Sequence, residues 1–134
     1  MIKRYISIFC IIVSIVLMAT PLGIAMTFAP GPTERITSYF SYFDLIVIGY
    51  GNCFPLMTAL LSFVILFILV KRIRKPSMGK VVEICVTICI IFSLLSWIIF
   101  NTFTIIGACV ASFHLIVLIF LKHQHASNKI QSRD

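Results

Sequence analysis

A chain of 134 residues that is 60% hydrophobic and only 11% charged, with a mean hydropathy of +1.12, carries more apolar surface than a soluble domain of this size can bury. A soluble globular fold is excluded, and the net charge of +7 has to be tested as membrane topology before it is read as affinity for nucleic acid. The five cysteines, Cys10, Cys53, Cys85, Cys89 and Cys109, are odd in number and lie mostly inside apolar runs, which excludes a secreted disulfide framework.

Taken in chain order, four apolar runs are long enough to cross a hydrocarbon layer that needs about 20 residues of helix. They cover residues 5–28, 53–70, 81–100 and 103–121. The expected fold is an all-α integral membrane protein, a single domain over 1–134 with four transmembrane helices. Lys3 and Arg4 precede the first run, as in a signal peptide, but its apolar stretch continues past Pro21 to Phe28 and offers no small-x-small cleavage site. A retained helix kinked near Pro21 is expected. A single helix from Val81 to Leu121 would be about twice as long as the bilayer is thick. Asn101-Thr102, the polar pair at its centre, is the expected hairpin.

Orientation follows from the basic residues. Lys3 and Arg4 lie before the first run. Lys71, Arg72, Arg74, Lys75 and Lys80 lie in the loop 71–80, and Lys122, Lys129 and Arg133 in the tail 122–134. Arg35 alone falls in the outer loop 29–52, so ten of the eleven basic residues share one side. This asymmetry predicts cytoplasmic termini. Within the outer loop, after Pro30-Gly31-Pro32, Ile36, Tyr39, Phe40 and Phe43 recur at helical spacing, which predicts a short amphipathic helix in the headgroup region.

The same loop ends in Val47-Ile48-Gly49-Tyr50-Gly51-Asn52, followed by Pro55. These residues resemble the potassium-channel pore signature, in which a pore helix leads into a Gly-Tyr-Gly filter, an Asp or Asn and a Pro before the inner helix. The resemblance covers the first half of the chain and implies a filter at Gly49, Tyr50, Gly51 and Asn52, with backbone carbonyls replacing an ion's hydration shell. Val47 stands where the family has threonine, Asp44 falls in what would be the pore helix, and the run after Pro55 meets Lys71 after only about 23 Å of helix. The plain reading of the same residues is a glycine-rich turn opening the second span.

Polar residues inside the spans are the other candidates. Depth along ideal helices places Ser14, Ser62, Cys89 and His114 in one layer. His114 can be a packing residue or a proton or substrate ligand, and Glu83 either its helper or the acidic member of an interfacial ion pair with Lys80 and the cluster 71–75. Cys85, Cys89 and His114 lack a fourth metal ligand, so no metal is expected. No catalytic triad, paired carboxylates, phosphate loop or dinucleotide fingerprint is present, and neither enzymatic activity nor a cofactor is expected. The expected partners are the lipid bilayer and either another membrane protein or further copies of this chain, with no nucleic acid. The expected function is that of a non-catalytic accessory or interaction protein, the alternative being an ion or small-solute pathway.

Overall fold

The computed structural model describes residues 2–72 and 79–131, with side chains described over 4–71 and 79–124. Arg74, Lys75 and Arg133 lie outside the described residues. The elements are α1 (Ile2–Ala19), β1 (Ile24–Phe28), β2 (Ile36–Phe40), α2 (Leu45–Gly49), α3 (Phe54–Arg72), α4 (Gly79–Phe100) and α5 (Ile105–Gln131). Three helical segments, Phe54–Lys71, Gly79–Phe100 and Ile105–Gln124, are long and apolar enough to cross a membrane, and a fourth apolar segment, Arg4–Ala19, is shorter.

The long helices and α1 form a four-membered ring in which α1 and α4 each border both α3 and α5. Two apolar clusters give the directions. One gathers Cys10, Ile11, Ile65, Leu69, Val82, Val86, Val117 and Leu121, the other Met18, Ala59 and Val110 with Ile24, Tyr42 and Val47. Every helix therefore runs antiparallel to its ring neighbours, which brings the start of α1, the end of α3 and the start of α4 to one end. The buried residues of α4, Gly79, Val82, Val86, Cys89, Ser93 and Ser96, recur at alternating three- and four-residue steps. That spacing suits shallow left-handed packing.

Large apolar side chains point away from this core. Phe9, Phe67, Ile84, Ile98, Ile99 and Ile119 are all exposed, while Ser7, Ser14, Thr58, Ser62, Ser93 and His114 are buried. Such a distribution is the reverse of a soluble bundle and suits a bilayer, where small and polar residues let helices approach and hydrogen-bond.

Two expectations are corrected at the other end of the bundle. The first apolar run is not one helix over 5–28. Helix α1 stops at Ala19, Thr20 turns its hydroxyl back to the Leu17 carbonyl at 2.7 Å, and Ile24–Phe28 is a strand. The amphipathic helix expected around Ile36 to Phe43 is instead strand β2, paired antiparallel with β1 from Ile24 opposite Phe40 to Phe28 opposite Ile36. An isolated helix of two turns is poorly nucleated, whereas β-branched and aromatic residues flanking a Pro-Gly-Pro loop pair readily once a partner strand is near. Phe28 packs edge-on against Phe40 and Tyr50, which ties the hairpin to the turn after α2.

Tyr42 anchors this cap. Its ring is buried, its backbone N–H donates to the Met18 carbonyl at 3.0 Å, and burial pushes its phenol well above the usual range, so the ring stays neutral. A Cβ on Gly23 would come within 2.8 Å of the Tyr42 ring. Gly23→Val is therefore expected to destabilise the detergent-solubilised protein by about 1–3 kcal/mol through overpacking. Gly31→Val, where nothing lies within 4 Å, should leave the unfolding midpoint unchanged.

Candidate functional site

Helices α3 and α5 face each other diagonally across the ring, and one hydrogen-bonded group joins them. His114 Nε2 lies 3.0 Å from the Ser62 hydroxyl, while Nδ1 lies 2.8 Å from the Val110 carbonyl one turn earlier in α5. The Ser62 hydroxyl is also 2.7 Å from the Thr58 carbonyl, toward which the Cys89 thiol of α4 points at 3.8 Å.

The chemistry of these atoms fixes where the protons sit. A carbonyl only accepts, so Nδ1 carries a hydrogen and donates to Val110. In the neutral ring Nε2 is then an acceptor and receives the single hydrogen of Ser62. When the ring takes a second proton, Nε2 becomes a donor and Ser62 turns its hydrogen to the Thr58 carbonyl. One set of heavy-atom positions thus satisfies both proton states of His114.

Of the expected layer, Ser62 and His114 are in direct contact, and Cys89 joins them through the Thr58 carbonyl. Ser14 is fully buried on α1, and its hydroxyl has no hydrogen bond among the described residues. Among those residues no three His, Cys, Asp or Glu side chains are grouped closely enough to hold a metal. Below this level, toward the charged end, the axis is filled by Ile11, Ile65, Val86, Val117 and Leu121, all essentially inaccessible.

Above it lies a second polar group. Asn52 donates through Nδ2 to the Ser96 hydroxyl at 2.9 Å, and Ser96 contacts the Thr102 hydroxyl at 2.7 Å. This latch fastens the start of α3 to the α4–α5 hairpin, where Asn101 takes a left-handed φ of 50°. Beside it Thr104 caps α5. Its oxygen accepts the Gly107 N–H at 2.9 Å and its hydroxyl donates to the Gly23 carbonyl at 2.7 Å, so one side chain joins α5 to the turn after α1. A Cβ on Gly107 would crowd Thr104, the Gly23 carbonyl and the Tyr42 hydroxyl. Ser96 and Thr104 carry no motif in the sequence, and Thr102 stands out only as half of the polar pair that marks the hairpin. The one signal that could have found Ser96 is its place on the Cys89, Ser93, Ser96 face of α4.

The Gly-Tyr-Gly segment forms a compact turn within the chain. Gly49 ends α2, Tyr50 is exposed, Gly51 has a φ of 85° and Asn52 is buried in the latch. The carbonyls of Ile46, Val47 and Ile48 accept the N–H groups of Tyr50, Asn52 and Gly51 at 3.3, 3.2 and 2.8 Å. Asp44, which falls in what would be the pore helix, accepts the Ser41 N–H at 2.7 Å just before α2. Of the expected interfacial ion pair, Glu83 and Lys80 do not make contact, and the side chains of Arg72, Arg74 and Lys75 lie outside the described residues. An exposed pair gains little over two hydrated charges, so nothing compels it.

No protein-family model matches this chain, and no match is found among curated proteins or solved structures.

Removing the hydroxyl in Ser62→Ala leaves the neutral Nε2 buried without a donor, a loss of about 1–2 kcal/mol. His114→Leu removes that acceptor while Ser62 keeps Thr58, so the double variant Ser62→Ala/His114→Leu is expected to be more stable than Ser62→Ala alone. A double-mutant cycle read by unfolding in mixed micelles measures this coupling; strictly additive losses would deny it.

Proposed function

We propose that this chain is a four-span protein of the cell membrane with both termini cytoplasmic, and that it works as a non-catalytic accessory or interaction protein. The observation that carries the functional reading is the closed interior. His114 is held through both ring nitrogens, and fully buried aliphatic side chains fill the axis between it and the charged end. A bundle so filled presents its distinctive chemistry outward, as a large apolar surface with a basic end. The turn at Gly49, Tyr50, Gly51 and Asn52 adds weight, because the carbonyls leading into it are already bonded within the turn.

The fourth span in this reading is α1. Its 18 residues measure about 27 Å, close to the hydrocarbon thickness, and it packs between α3 and α5 as an equal member of the ring. Ten of eleven basic residues then fall on the cytoplasmic side, and the hairpin with Arg35 on the other.

In a cysteine-free background, Ser38→Cys is expected to react with an impermeant maleimide on intact cells and Lys80→Cys only after lysis. Outside labelling of position 80 would reverse the orientation. Purified protein in potassium-loaded liposomes is expected to leak no faster than protein-free liposomes. Potassium-selective flux abolished by Gly49→Ala, or proton flux abolished by His114→Leu, would replace the accessory reading with the pathway reading. Cross-linking before solubilisation then separates a foreign partner from a homo-oligomer by the mass of the product.

A further inference from the structure

At the charged end of the bundle, the first turns of α4 carry a groove of about 440 Å³ lined by Lys80, Glu83, Ile84, Thr87 and Ile88. These residues lie three and four apart, so they form one continuous strip of the helix surface. The strip is graded along its length. A cation and an anion sit at the helix end, and Ile84 and Ile88 lie further toward the middle of the membrane segment Gly79–Phe100. Thr87 spends its hydroxyl on the Glu83 carbonyl at 2.8 Å, which leaves the lower groove apolar.

Among the described residues Lys80 and Glu83 form no ion pair with each other, although neighbouring positions on one helix face would allow it. The groove offers, in order, an ammonium, a carboxylate and an apolar strip. A phospholipid whose headgroup carries both a phosphate and a primary ammonium matches all of these. Its phosphate would pair with Lys80, its ammonium would donate hydrogen bonds to Glu83, and the upper part of one acyl chain would lie along Ile84 and Ile88.

We propose that this groove binds phosphatidylethanolamine. The choice is specific. Phosphatidylglycerol matches Lys80 but leaves Glu83 facing an anionic headgroup, and phosphatidylcholine brings a positive charge with no N–H to donate. The proposal rests on α4 lying in a membrane, and on neither the accessory reading nor the orientation, so the labelling and flux experiments can fail without touching it.

The test uses the full chain in nanodiscs made from equal parts of phosphatidylethanolamine, phosphatidylcholine and phosphatidylglycerol, with lipids retained on release counted by native mass spectrometry. Wild type is expected to retain phosphatidylethanolamine about fivefold over phosphatidylcholine, the ratio that one headgroup contact near the surface supplies. Glu83→Gln should bring that ratio to about one, and Lys80→Gln should lower retention of all three lipids. Both variants are exposed or half-exposed, and their thermal midpoints in detergent, read alongside, separate lost binding from lost folding. Equal retention of the three lipids by wild type, a preference for phosphatidylglycerol, or an unchanged ratio in stably folded Glu83→Gln would each overturn the proposal.

Discussion

Inside a bilayer there is no water to satisfy a stray polar group, and the architecture follows from that constraint. The helices satisfy their own backbones. Ser14, Thr58, Ser62, Ser93, Ser96 and His114 are turned inward, where the Ser62 hydroxyl lies between the Thr58 carbonyl and His114, and Ser96 lies between Asn52 and Thr102. The apolar residues are left to the outside, with Ile98 79% and Ile105 80% exposed. Association of the helices then depends on close approach and on these few directed bonds, since lipid tails are as apolar as the side chains facing them.

The polar contacts divide the bundle into parts with different tasks. The diagonal bond between Ser62 and His114 spans the ring at mid-depth and fixes the rotation of α3 relative to α5. The same heavy-atom positions provide a hydrogen-bond partner for each ring nitrogen in either proton state. The cap at the hairpin end does something else. Tyr42, Gly23, Thr104 and Gly107 weld the end of α1 to the start of α5, closing the ring at the one helix that is shorter than the others. A two-stranded hairpin would be marginal alone, and here Ile24 and Tyr42 bury themselves in the bundle to hold it. The opposite end carries Lys71, Lys80 and Lys122, all exposed.

Three long helices were legible from hydropathy because a run of about 20 apolar residues has few other solutions. The break near Asn101 was legible for a similar reason, since an unbroken helix would overshoot the membrane. Residues 20–43 were not. Ile36, Tyr39, Phe40 and Phe43 satisfy a helical period and are also good strand formers, and what decides between them is a partner strand twelve residues earlier that local periodicity does not see. The first run shows the same limit: Ile24 to Phe28 is apolar enough to prolong a helix, yet its backbone is claimed by β2.

Composition and run lengths by themselves determined that this chain folds into apolar helices long enough to cross a membrane, because transfer into hydrocarbon is governed by totals and run lengths. Depth arithmetic also put Ser62 and His114 at one level. Only the tertiary structure decided that the two share a hydrogen bond across the ring, that Asn52 latches onto Ser96, and that the Gly-Tyr-Gly turn closes on its own amides. Those outcomes depend on helix rotation and on contacts as much as 81 residues apart, as from Gly23 to Thr104, and no local pattern encodes either.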